Sequence, residues 1–314
     1  MTTMTMKNGS ADAPATIKAQ PLTLMIGAEI SGVDLTQPIA PEVVREIRDA
    51  LLKWKVIFFR DQHIDHAHQI AFARHFGELT VGHAVFGHIE DYPEIYAIAK
   101  HRTANRSQGQ EQRKPWSGWH ADITAAHNPP CASILRGDIV PPYGGDTQWT
   151  NLVAAYEGLS ETMKTFIDGL RGIHRFAPQA GVKATEEYAE LVRDKGLASE
   201  HPLVRVHPET GERSLYVSPS FLKEIVGLSP TESIKILELL WEHAIRPEYT
   251  VRFKWEPGSI AFWDNRSTAH LAPRDIFLSD FDRQFYRVTL VGDVPVGVDG
   301  QPSKALEGEQ ILAV

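Results

Sequence analysis

The chain is cut into short apolar runs, and that limits what it can fold into. KVIFFR (55–60), ASILRGDIVP (132–141), TQWTN (147–151), SIAFWDN (259–265) and RQFYRVTL (283–290) are rich in β-branched and aromatic residues. Most stop at glycine, proline, asparagine or aspartate, the residues that turns require. A doubly wound α/β sheet would alternate each strand with a helix. Here strands come in groups with helices inserted between them. The pattern predicts a mainly β architecture with helical decoration, a β-sandwich or jelly roll.

The helices are legible by period. In APEVVREIRDALLKW (40–54), Val43, Val44, Ile47, Leu51 and Leu52 fall on one stripe. HAHQIAFARHFG (66–77) is a second amphipathic stretch, which Gly77 ends. Helical segments around 152–171 and 184–197 form an insertion, and 230–245 is the strongest helix. LTLMIGAEISGVDL (22–35) reads as strand and turn, and HPLVRVHPETGERSLYV (201–217) as a hairpin turning at Glu209–Gly211. RTANRSQGQEQRK (102–114) is polar and aperiodic, a lid-like loop extending to about residue 116. Residues 1–20, small and polar, read as a disordered tail, and 21–314 as a single domain.

Composition removes several classes of function. Of 314 residues, 42% are hydrophobic and 23% charged, which suits a soluble chain with a large core. The net charge of -8, with both signs mixed along the chain, disfavours a general nucleic-acid binder. No run approaches a membrane span, and the first 20 residues lack the apolar centre of a signal peptide. The one cysteine, Cys131, excludes an internal disulfide and fits a reducing compartment. These features predict a cytoplasmic protein without membrane association.

The chemistry begins at PWSGWHADIT (115–124). On a strand or its frayed end, His120 and Asp122 project to one face. Such a pair can ligate a metal, and a second histidine would complete the two-histidine, one-carboxylate triad typical of Fe(II). Taken alone the spacing is a weak signal, since it arises often by chance and more commonly marks a hydrogen-bonded loop pair. Fourteen histidines compete for the third place. His63, His66, His68 and His75 read as a solvated helix patch, and His201 and His207 have no acidic neighbour at useful spacing. His270 follows a strong strand and the turn DNRS, a plausible ligand context.

A second clue lies in DRQFYRVTL (282–290). Arg283, Phe285 and Arg287 share one strand face, and arginines on so apolar a strand are costly unless anions meet them. Four residues at a strand's rise separate the two arginines by roughly 13 Å, so they point to two anions in line. The alternative is pairing with Asp280 or Asp282.

Three stretches, WHADITAAHNPPCASILRGDIVPPYGGDTQWTNLVAAYEGL (119–159), HPLVRVHPETGERSLYV and FKWEPGSIAFWDNRSTAH with DRQFYRVTLVGD, together resemble the taurine dioxygenase/alkylsulfatase family of Fe(II)- and 2-oxoglutarate-dependent dioxygenases. The likeness runs from about Pro21 to Val296. It implies a double-stranded β-helix, the cupin-like jelly roll, and Fe(II), 2-oxoglutarate and O2 as metal and cosubstrates. It makes His120, Asp122 and His270 the iron ligands. Thr147 and Arg283 then hold 2-oxoglutarate, and Arg287 the anionic head of the prime substrate. His83, Phe86, Trp116 and Phe221 match the substrate pocket. Phe86 and Trp116 replace a tyrosine and an asparagine of the taurine-using members, which makes the pocket more apolar and taurine a poor fit.

The implied reaction hydroxylates a small sulfate ester or sulfonate with a fairly apolar body, as 2-oxoglutarate is decarboxylated to succinate and CO2. The rivals are an aryloxyalkanoate-type dioxygenase with a carboxylate substrate and a cupin-like binding protein without catalysis. A zinc hydrolase could use the same ligands but leaves Arg283 and Thr147 without a purpose. The family likeness also implies a homo-oligomer, a dimer or a tetramer.

Overall fold

In the computed structural model the described residues are 16–99, 107–108, 114–177, 183–184 and 186–314. The largest sheet has seven strands in the order Lys18–Pro21, Ala28–Ser31, Val56–Phe59, Ile260–Asp264, Ala132–Ile139, Gln284–Leu290 and Tyr96–Ala99. Neighbours pair antiparallel except Ala28–Ser31 with Val56–Phe59. That parallel pair needs a crossover, which the helix Pro41–Trp54 supplies. A three-stranded antiparallel sheet is formed by Thr250–Phe253, Thr147–Asn151 and Thr268–Leu271.

Val56–Phe59 explains why these layers stay together. All four residues are buried, although neighbouring side chains on a strand point to opposite faces. Val56 and Phe58 join Leu135, Trp149, Phe253, Trp263 and Phe285 in one core, built from both sheets. Ile57 and Phe59 join Ile134, Phe262 and Val288 under Ile47, Leu51 and Phe72 of the two N-terminal helices. A strand covered on both sides must be apolar throughout, as this one is. Fully burying each such side chain stabilises the fold by about 1.5–3 kcal/mol.

A third core lies beneath the helix Pro230–Ala244, where Leu237, Leu240 and Trp241 meet Leu203, Leu215 and Leu222. Ser229 and Glu232 start that helix with a capping box, each side chain bonding the other's backbone N–H.

The structure differs from expectation in several places. Lys18–Gln20, read as the end of the tail, belong to the strand Lys18–Pro21, which pairs with Ala28–Ser31; residues 1–15 lie outside the described residues. The segment 152–171 is two helices, Leu152–Glu157 and Glu161–Ile167, because Ser160 caps the second by accepting from the Met163 N–H at 3.3 Å. The helix expected over 184–197 spans Glu186–Asp194. A further sheet of Leu222–Ile225, Arg171–Arg175, Ala198–Pro202 and Lys304–Glu307 was not foreseen. Most of the lid-like loop lies outside the described residues; Ser107–Gln108 within it pairs with Lys183–Ala184. No helix among the described residues is long and apolar enough to cross a membrane.

Candidate active site

His120 and His270 meet through their backbones. The His120 N–H donates to the His270 carbonyl at 2.9 Å, and the His270 N–H returns the bond at 2.7 Å. This reciprocal bridge fixes the two Cα atoms side by side, and the imidazole centroids lie 4.2 Å apart. Asp122 follows where the chain leaves the bridge and turns. Ile123 makes the turn with φ of 47°, an outlier for a β-branched residue and a conformation that needs support from its surroundings. One ligand atom from each of His120, Asp122 and His270 lies within 4.8 Å of the others.

The protonation states suit a metal. His120 Nδ1 lies 2.9 Å from the Gly118 carbonyl oxygen, so Nδ1 carries the hydrogen and Nε2 offers its lone pair. Burial holds both imidazoles below their ordinary value, His270 well below, so they stay neutral. Burial works against a charged Asp122, but the Arg287 guanidinium, with the hydrogen bond from Ser133, outweighs it. The carboxyl is held well below the usual carboxylate range. Arg287 Nη1 donates to Asp122 Oδ1, while Ser133 Oγ donates to Oδ2 at 2.6 Å. Asn265 Nδ2 donates to that serine at 2.8 Å, and Trp263 Nε1 to Asn265 Oδ1 at 2.9 Å. Two neutral imidazoles, an ionised carboxylate and a fixed supporting shell are the donor set that a divalent metal takes.

These residues line a cavity of about 330 Å³, within the range of small-molecule sites. Thr147 and Arg283 stand at one part of its wall. Trp255 Nε1 donates to Thr147 Oγ1 at 3.0 Å, and Arg283 Nε to the Gly145 carbonyl at 3.1 Å. Gly145 has φ of 66°, and a Cβ there would come within 3.2 Å of the Arg283 side chain, so glycine is required twice over. Burial pushes the Arg283 guanidinium down to about 10, partly offset by Asp275 and Asp146.

Arg287 is 5% exposed, and its Nε and Nη2 have no partner among the described residues. His83, Phe86, Tyr96, Phe176 and Phe221 form an aromatic wall of the same cavity. Phe86 and Tyr96 are nearly parallel at 6.2 Å, and the Arg287 guanidinium lies 5.5 Å from the Tyr96 ring centre.

Nine of the ten residues singled out in the sequence therefore surround one cavity: His83, Phe86, His120, Asp122, Thr147, Phe221, His270, Arg283 and Arg287. Trp116 does not. Its indole is buried against Trp241 at 5.9 Å, in the core under the C-terminal helix. The expectation of a pocket tryptophan is corrected by that packing. Tyr96, Ile98, Ile123, Leu135, Phe176, Ser220 and Trp263 line the cavity without having been foreseen. Tyr96 and Ile98 reach it from the strand Tyr96–Ala99, whose apolar run YAIA marks a strand in sequence and carries no mark of a site. The helix histidines are elsewhere: His66 contacts Arg136 at 3.1 Å, and His68 contacts Asp65 at 2.6 Å.

Residues 18–288 match the family model described as taurine catabolism dioxygenase TauD, TfdA family. An alkylsulfatase of Acinetobacter baylyi is 38% identical over 296 residues, covering 92% of this chain and 89% of that protein. An alpha-ketoglutarate-dependent sulfate ester dioxygenase of Pseudomonas putida is 38% identical over 304 residues, covering 94% and 96%. The crystal structure of a taurine dioxygenase from Burkholderia xenovorans superposes with a TM-score of 0.83 at 60% identity, covering 94% of this chain and 96% of that one. The chain belongs to the TauD/TfdA family and is an alpha-ketoglutarate-dependent dioxygenase.

Proposed function

We propose that this dioxygenase uses Fe(II) to hydroxylate an organic sulfate ester, or a sulfonate, at the carbon next to its anionic group. The observation that carries the reading is Arg287, buried with two unpartnered donors at a cavity walled by aromatic rings. Such a guanidinium calls for an anion with several acceptor oxygens, and the aromatic wall for an apolar body beside it. The two curated relatives described above act on sulfate esters or carry the name alkylsulfatase, which supports sulfate as the head group. We also read the seven- and three-stranded sheets as the two layers of a double-stranded β-helix.

His120, Asp122 and His270 would hold the iron, which supplies the oxygen activation that no side chain can provide. Arg283 and Thr147 bind the far carboxylate of 2-oxoglutarate, a charge-assisted contact made stronger by burial. Arg287 takes the substrate anion, and Phe86, Tyr96, Phe176 and Phe221 keep water from the carbon being oxidised. One oxygen atom of O2 enters succinate as CO2 leaves, and the other becomes the new hydroxyl. A carbon bearing both hydroxyl and sulfate then collapses to an aldehyde and inorganic sulfate.

Succinate release against a panel of alkyl sulfates, alkyl sulfonates and aryloxyalkanoates tests this. An alkyl sulfate should give the highest kcat/KM, with sulfate and succinate formed in equal amounts. Preference for an aryloxyalkanoate would overturn the sulfate assignment.

A further inference from the structure

We propose that Arg287 competes with the metal for Asp122, so that an anion bound to Arg287 tightens metal binding. The second half of this rests on the reading of Arg287 as the substrate-anion site; the first half rests on geometry alone.

Asp122 Oδ1 is the carboxylate oxygen that faces the histidines, 4.0 Å from His270 Nε2. Arg287 Nη1 donates to that same oxygen. The carboxylate cannot simply turn to offer its other oxygen, because Oδ2 is held at 2.6 Å by Ser133, itself held by Asn265. Metal and guanidinium therefore draw on one atom.

They also repel. Arg287 and Asp122 are 5% and 1% exposed, so little water lies between a cation at the histidines and the guanidinium to weaken their repulsion. The Arg287 backbone is fixed, since its strand is paired on both sides, opposite Tyr96 and Leu135, so only the guanidinium itself can shift. Its unpartnered Nε and Nη2 are the remaining route to relief. An anion accepting from them adds negative charge beside the guanidinium and draws it from Oδ1. Linkage then works in both directions: the anion raises metal affinity, and the metal raises anion affinity by the same factor. The ion would be held most tightly when substrate is in place.

Manganese(II) binding, measured by titration calorimetry without 2-oxoglutarate, reads this directly, with methyl sulfate as the probe anion. In the wild-type protein, saturating methyl sulfate should tighten manganese binding by about five- to tenfold, the lower part of the usual range for coupled sites. Arg287→Gln should bind manganese more tightly than the anion-free wild type and be indifferent to methyl sulfate. Arg287→Lys, which keeps the charge, should resemble the anion-free wild type. If Arg287→Gln does not fold, Arg287→Met, which also removes the charge and keeps much of the side chain's bulk, takes its place in the same titration. Tighter manganese binding in Arg287→Gln, with no methyl sulfate effect in the wild type, supports the competition and overturns the anion-site reading instead. Weaker or unchanged manganese binding in the uncharged variant overturns the competition and leaves Arg287 as a support for Asp122.

Discussion

Two clusters bring together a buried aspartate, a buried arginine and buried histidine, yet they do opposite things. Around Asp264, every charge is answered. Arg266 donates through Nε at 3.0 Å and Nη2 at 2.6 Å, and His207 Nε2 lies 3.0 Å away. Arg266 Nη1 reaches Glu209 at 2.8 Å, and the Glu209 and Thr210 N–H groups donate to His207 Nδ1 at 3.2 Å each. Around Asp122, Arg287 keeps two free donors and His270 Nδ1 has no partner among the described residues. Lone unmet donors occur elsewhere, as at Trp149 and Trp241. Only the convergence of several on one cavity separates a site from a scaffold. Residue types alone would have ranked the two clusters equal.

The largest effect should come from His120→Ala. Manganese binding and turnover should both disappear while the melting temperature stays near wild type, because the His120–His270 bridge is made by backbone. Calorimetry and a thermal melt check this; retained metal affinity would erase the distinction between the clusters. Asp264→Asn should do the reverse. Breaking a buried ion pair on one side costs about 3–5 kcal/mol, visible in urea unfolding, whereas the protein that still folds should bind manganese normally. A variant stable as wild type but blind to metal would move Asp264 into the site.

Arg283→Ala should raise the KM for 2-oxoglutarate roughly 10- to 150-fold, since a hydrogen bond to a charged group contributes about 1.5–3 kcal/mol. Succinate formation against 2-oxoglutarate concentration measures it, and an unchanged KM would remove Arg283 from the cosubstrate site. The smallest effect concerns His201, a scaffold histidine between Ser303, Thr124 and Ala126. Burial pushes it down from 6.5 to about 3. Unfolded, it takes up a proton below 6.5 that the folded chain refuses, so stability is full above that pH and falls as pH drops toward 3. Urea midpoints between pH 7 and 5 should fall in the wild type and less steeply in His201→Gln.

The parts legible in sequence were those set by local period. The helices Pro41–Trp54 and Pro230–Ala244 and the shared face of Phe285 and Arg287 follow from a 3.6-residue repeat or side-chain alternation, and the buried strand Val56–Phe59 from a short unbroken apolar run. What those side chains meet did not follow. Arg287 had Asp280 and Asp282 close by in sequence, yet it pairs with Asp122, 165 positions away. His207 looked free of acidic neighbours until the fold brought Asp264 to it. His270 stood out among fourteen histidines by following a strand and turn, but only family likeness made it a ligand, because pairing across the molecule leaves no mark on either strand. The sheet containing Arg171–Arg175 and Ala198–Pro202 was missed because its buried positions include His174, Ser199 and His201, which read as polar. Trp116 failed for a related reason: an aromatic residue beside a site can face the core as readily as the cavity.

The bridge between His120 and His270 also bears on how the protein is made. Contacts between distant positions form late, since the closure entropy of the intervening loop must be overcome first. Chains emerge from the ribosome N-terminus first, so His120 and Asp122 exist well before His270 and Arg287. A growing or truncated chain that ends before Thr268 has neither the second histidine nor the arginine. On the proposed reading of the site, it holds an incomplete set of metal ligands and no anchor for the substrate anion. A metal at the proposed site would then find its full set of ligands only after the C-terminal strands are in place, and its binding would report that the whole chain has folded.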